Sequence, residues 1–209
     1  MSYKDLIKYS CILLTVLATS AQSYANERTH FSFSDGIISD IKLLGKGCET
    51  GSALSYDELT GNINVSFTEL KTVIDAEINE DRSVCLLKYT VNVPANRQAI
   101  IPPAIVKGNV NISENSKTVV SLRYRYAGDV GPASIWEFNG TASGEMLLKK
   151  GLAEEMTPCG KTSYLKLSII LNTRNLDPTV ALTSSQTTRV DQVTIPPVTF
   201  EDCPLPEDV

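Results

Sequence analysis

Apolar and polar side chains alternate with a period of two along most of this chain. In 62–68, Ile63, Val65 and Phe67 share one side while Asn64 and Ser66 point away. Cys85, Leu87, Tyr89, Val91 and Val93 form a second row, opposed by Lys88, Thr90 and Asn92. Val106, Val110 and Ile112 make a third against Lys107, Asn109 and Asn111. Thr118, Val120, Leu122, Tyr124 and Tyr126 make a fourth against Lys117, Ser121, Arg123 and Arg125, and Leu165, Leu167, Ile169 and Leu171 a fifth. Strand side chains alternate between faces, so these rows predict sheets with one dry and one wet side. Turn residues fall between them at Thr60-Gly61-Asn62, Ser113-Glu114-Asn115-Ser116 and Ala127-Gly128-Asp129. Segments 104–113 and 117–126 read as the clearest hairpin. Helical spacing is nearly absent, and 144–156 is the one stretch with room for a short helix. The expected fold is all-β, a disulfide-stabilised antiparallel β-sandwich with little or no helix in the mature chain.

The chain opens differently. Lys4 and Lys8 precede an apolar run through residues 9–18, and Ser23-Tyr24-Ala25 offers a small–x–small cleavage site. That is the layout of a secretory leader, 1–25, and the apolar run is too short to cross a bilayer. Cys11 leaves with it. The expected organisation is then a β-sandwich domain at 26–195 and a tail at 196–209 held by Cys203. Removing Lys4, Lys8 and Asp5 takes the net charge from −5 to −6. An acidic balance without clustered Lys and Arg argues against nucleic acid as a partner. No later stretch is apolar enough for stable membrane insertion, so a secreted or periplasmic monomer is expected.

An even set of cysteines remains: Cys48, Cys85, Cys159 and Cys203. In an oxidising compartment they close into two disulfides. Cys85 belongs to an inward row, and the bend Gly45-Lys46-Gly47 brings Cys48 within its reach. Of the three possible pairings, Cys48–Cys85 with Cys159–Cys203 is favoured. Each would stabilise by about 3–4 kcal/mol in the chain-entropy model. A redox role is the alternative, but there is no Cys-x-x-Cys.

The order of short motifs is distinctive. Gly45-Lys46-Gly47-Cys48, then 49–52 (Glu-Thr-Gly-Ser), 63–70, Arg82-Ser83-Val84-Cys85-Leu86, and later Pro158-Cys159-Gly160 before an apolar strand resembles the secreted family called domain of unknown function 4360. The likeness spans 41–173. It departs from the fungal members at Arg123-Tyr124-Arg125-Tyr126 and at 143–156. The resemblance implies an exported, cysteine-stabilised β domain. It implies no activity and transfers no catalytic residue.

Candidate chemistry is sparse. His30 is the only histidine, so a Ser-His-Asp or Cys-His relay would rest on it alone, and no Gly-x-Ser-x-Gly accompanies it. No catalytic, cofactor-binding or metal site is assigned. Asp75, Glu77, Glu80 and Asp81 supply oxygen ligands without calcium-loop spacing and read as a solvated turn. Tyr124, Tyr126, Trp136 and Phe138 read as core in preference to a sugar-stacking platform. Asn64, Asn111 and Asn139 each open an Asn-x-Ser/Thr sequon. The preferred function is a non-enzymatic exported protein that binds a protein or a glycan. The alternative is a pilin-like fibre subunit whose early segment, with Phe31, Phe33, Ile37, Ile38 and Ile41, is donated as a strand. A carboxylate-dependent hydrolase is the third.

Overall fold

The computed structural model describes residues 36–126, 129–149 and 155–204. Among them there is no helix, and fourteen strands follow in chain order: β1 (Ile38–Leu44), β2 (Ala53–Asp57), β3 (Asn62–Ser66), β4 (Lys71–Ile74), β5 (Glu80–Val91), β6 (Arg97–Ile101), β7 (Ile105–Ile112), β8 (Ser116–Tyr126), β9 (Asp129–Asn139), β10 (Ala142–Lys149), β11 (Glu155–Met156), β12 (Ser163–Asn175), β13 (Gln186–Ile195) and β14 (Thr199–Asp202). One sheet has the order β1-β5-β12-β8-β9. The second runs β10-β7-β13-β3-β2, with β4 also on β13, and a small third sheet is β11-β6-β14. All pairs are antiparallel. The leader, His30, Phe31 and Phe33 lie outside the described residues, as do Ala127 and Gly128 of one expected turn.

The two large sheets pack face to face as a sandwich. Its interior is one cluster to which both contribute: Cys85, Leu87, Leu122, Leu167, Ile169 and Leu171 from the first, Ile63, Val65, Val106, Val190 and Val193 from the second. Ala99 and Ile101 of β6 extend it. β12 alternates strictly between buried and accessible positions over its whole length, as the central strand of a half-buried sheet must.

One expectation is corrected. β7 and β8 do not form a hairpin: β7 pairs with β10 and β13, β8 with β12 and β9. The turn exists, with Ser116 N–H donating to Ser113 O at 3.0 Å. It carries the chain across the core into the opposite sheet. The inward rows of β7 and β8 belong to facing sheets, where each buries apolar area against the other. Segment 144–156 is not helical where it is described. Residues 144–149 belong to β10, opposite β7, and 155–156 form β11 against β6. Cross-strand pairing there overrides a weak helical tendency. Consecutive strands do pair as hairpins at β8–β9 and β2–β3. The β2–β3 turn is closed by Asp57: its carboxylate accepts from Leu59 N and Thr60 Oγ1 at 3.0 and 2.6 Å.

Candidate functional site: the open groove on the second sheet

Two covalent ties hold the frame. Cys48 joins Cys85, and Cys159 joins Cys203, with Cα–Cα separations of 5.4 and 5.7 Å. These are the pairs favoured from the sequence. Cys48 and Cys85 are buried in the core, whereas Cys159 is exposed and Cys203 half-buried.

The other singled-out residues do not meet at one place. Asp75 closes its own turn, its Oδ1 accepting from Glu77 N and Ile78 N at 2.9 Å. Asp81 accepts from Val73 N at 2.9 Å and Glu80 from Asn172 Nδ2 at 3.1 Å. Asp75, Glu80 and Asp81 thus turn to separate partners, and no group of three metal-ligating side chains is found among the described residues. Tyr124 is buried, while Trp136 and Phe138 are partly buried against the core. Those three form no outward stacking surface. The Tyr126 side chain is outside the described residues. Asn64 accepts from Thr194 Oγ1 at 2.7 Å and Gln192 Nε2 at 3.0 Å, while Asn111 and Asn139 are exposed. β1, the strand an assembling fibre would donate, lies in its own sheet against β5, with Ile38 and Ile41 buried.

A concavity lies on the outer face of the second sheet. It is an open groove of about 780 Å³ over β10, β7 and β13, with Lys107, Asn109, Glu145, Leu147, Arg189 and Asp191 around it. Its shape has a local cause. β13 is irregular between Val190 and Gln192, leaving Asp191 outside the regular register with β7. Bulges of this kind re-aim side chains and bend the strand. Gly108 sits opposite Val190, and a Cβ there would run into the Arg189 carbonyl and come 2.6 Å from Met146 Cε. Only glycine permits that approach of the two strands. Arg189 Nη2 pairs with Asp191 Oδ1 at 2.5 Å. The groove thus presents two cationic and two anionic side chains, an amide and one exposed leucine. Sequence reading placed Lys107 and Asn109 on a wet face, but it missed the groove. Its walls come from three strands distant in sequence, and the bulge has no period-two signature.

The family model for domain of unknown function DUF4360 matches residues 35–203, which takes in both bridges and every described strand. The chain belongs to the DUF4360 family. The DUF4360 motifs now have a mechanical reading. Gly45, at φ 107°, passes so close to β5 that a Cβ would lie 2.6 Å from Val84 O. A Cβ on Gly47 would meet Leu70 and Ser83, both at 2.6 Å. Cys48 N and Glu49 N both donate to Gly45 O, at 2.9 and 3.1 Å. Gly-x-Gly-Cys is therefore a bend pressed against β5 that delivers Cys48 to Cys85. At the other bridge, Gly160 N donates to Arg97 O at 2.7 Å and Cys203 N to Asn96 O at 2.9 Å. Both cysteines are thus moored to the start of β6.

No curated protein matches the chain. Solved structures that it overlaps include TmCBM61 in complex with beta-1,4-galactotriose, at 11% identity, 78% of this chain, 88% of that one and a TM-score of 0.25. Another is the enzymatically active domain of bacteriophage CBA120 tailspike protein 4, at 12% identity, 78% of this chain, 19% of that one and a TM-score of 0.25. A third is the family 11 carbohydrate-binding module from Clostridium thermocellum in complex with a beta-1,3-1,4-mixed-linked tetrasaccharide, at 10% identity, 75% of this chain, 84% of that one and a TM-score of 0.23. Overlaps this loose carry no argument for a ligand.

Proposed function

We propose that this DUF4360 protein is an exported, non-enzymatic binding module that takes a neutral, hydroxyl-rich ligand, a glycan, in the groove over β10, β7 and β13. The observation that carries this reading is the groove's make-up. Lys107 and Arg189 are balanced by Glu145 and Asp191, and Asn109 supplies a donor and an acceptor together. Closely spaced donors and acceptors without net charge suit a ligand made of hydroxyl groups. Two disulfides fit a life outside the cytosol, and residues 1–25 are proposed as the leader that takes the protein there, with Asn26 as the mature start and 196–209 as a C-terminal tail.

A glycan array followed by calorimetry tests the reading. Asn109→Ala should weaken the ligand found by about fivefold and Glu145→Ala by about tenfold or more, a neutral hydrogen bond being worth roughly 0.5–1.5 kcal/mol and one to a charged group roughly 1.5–3 kcal/mol. The bound glycan should be recovered with no new reducing ends. Failure to retain any neutral glycan, or retention indifferent to both substitutions, would refute the groove as the site.

A further inference from the structure

The outer face of the first sheet carries a feature of the opposite electrical character. Lys42 on β1 lies directly opposite Lys88 on β5, Lys88 opposite Lys166 on β12, and Lys166 opposite Arg125 on β8. Four cations thus stand side by side across four adjacent strands. Strand spacing of about 4.8 Å makes the row roughly 14 Å long. All four are exposed or half-buried, and Arg123 lies on the same face, in register with Ser168. Among the described residues, the ion pairs Lys71–Glu69, Arg97–Asp202, Lys117–Glu137 and Arg189–Asp191 involve none of the five. Asp40, at the irregularity in β1, accepts from Thr90 Oγ1 at 3.5 Å.

Like charges directly opposed across a sheet are destabilising, and here three such pairs follow one another in a protein whose net charge is −5. Local rules broken without a packing gain are expected where a ligand supplies the missing counter-charge. We infer that this row is a binding site for a linear acidic polysaccharide, laid across the strands with its carboxylates on Lys42, Lys88, Lys166 and Arg125. The row is narrow, widened only at the β8 end by Arg123. A single charged strand can follow it, whereas a duplex or an anionic membrane, being broader, would also face a molecule whose net charge is negative. Tyr164, 68% exposed, shares this face, opposite Thr90 and two residues from Lys166. It offers an aromatic surface and a hydroxyl to a sugar ring. On the other side Leu44 and Leu86 form an apolar border.

The test uses the full mature protein and sodium polygalacturonate as the probe, with neutral dextran, duplex DNA and phosphatidylserine vesicles beside it. Polygalacturonate should bind at low ionic strength and weaken about tenfold or more between roughly 50 and 200 mM salt, as expected for several released counterions. Lys88→Glu should abolish binding, since it breaks the row at its centre. It should also leave the unfolding midpoint unchanged or raised, because it replaces two repulsive cross-strand pairs by attractive ones. Lys149→Glu, on the other sheet, makes the same change in net charge and should keep binding within about twofold of wild type, a difference under half a kcal/mol. Lys88→Gln gives a milder second variant in which binding should fall with folding intact. The inference is overturned if polygalacturonate does not bind, if Lys88→Glu and Lys149→Glu behave alike, or if DNA or vesicles bind more tightly than the polysaccharide through the same row. Loss of the neutral-glycan groove would leave this result untouched, because the two sites lie on different sheets.

Discussion

Tyr89 lies inside the sandwich with its phenol near that of Tyr124. Burial pushes its pKa well above the ordinary 10.0, and the neighbouring Tyr124 adds to the shift. Above pH 10 the unfolded chain releases this proton while the native state holds it. Stability is therefore complete below that pH and falls as pH rises beyond it. Urea denaturation between pH 8 and about 11 should show this decline, and Tyr89→Phe should make it shallower. An identical slope in the variant would place the alkaline loss in some other group. At this scale the sequence was highly legible: the rows named from alternation are buried where described, including Tyr124, Leu122 and Ile169. What alternation does not report is the partner. Asp75, Glu80 and Asp81 are close in sequence, yet each carboxylate turns to a different backbone or amide group.

Among the elements, β12 is the organiser, flanked by β5 and β8 along nearly its whole length. Its inward row is apolar from Leu165 to Leu171, and at Thr173 the interior changes character. Thr173 Oγ1 lies 2.6 Å from Thr72 Oγ1 on the facing sheet and 2.8 Å from Thr118 Oγ1 on β8, with all three fully buried. These hydroxyls tie the two sheets at one end of the core. Thr72 and Thr118 also donate to Thr188 O and Asn172 O, at 3.4 and 3.2 Å, so neither is orphaned when Thr173 is lost. Thr173→Val should therefore cost only about 0.5–1.5 kcal/mol, and replacing all three by valine should cost more. Thermal unfolding of the two variants decides it, and a triple variant as stable as the single one would mean that the backbone acceptors contribute nothing. The misassigned hairpin belongs to this scale as well. Ser113 to Ser116 has turn chemistry whether the chain doubles back beside itself or arches over the core. Only the competition among all strands for lateral partners selects the arch.

For the whole molecule, the two bridges differ in surroundings more than in loop length, their cysteines being 37 and 44 residues apart. Cys48–Cys85 is part of the packed interior, and Cys159–Cys203 sits at the surface by the third sheet. Mild reductant followed by alkylation and peptide mapping should therefore label Cys159 and Cys203 first. Changing Cys159 and Cys203 together to serine should cost about 3–4 kcal/mol in the chain-entropy model. Changing Cys48 and Cys85 to alanine should cost more, through lost core packing as well. Equal labelling rates, or a larger loss at the surface bridge, would contradict this ordering. Both candidate binding faces also exist only at this scale. The groove draws on β7, β10 and β13, and the cationic row takes one residue from each of β1, β5, β8 and β12. Lys88 and Arg125 were visible as outward positions, but nothing in a linear reading sets them beside Lys42 and Lys166.

The sequence by itself determined the all-β class, the inward faces of the strands, the family and the cysteine pairs it favours. All of these follow from alternation, local turn chemistry and short motifs, which are written within a few residues of one another. Tertiary structure alone decided which strands are neighbours, that β7 and β8 belong to opposite sheets, and that a neutral groove and a line of cations occupy different faces. Lateral pairing is a contest between backbone edges far apart in the chain. Its outcome depends on the area that all strands bury together, which no local stretch records.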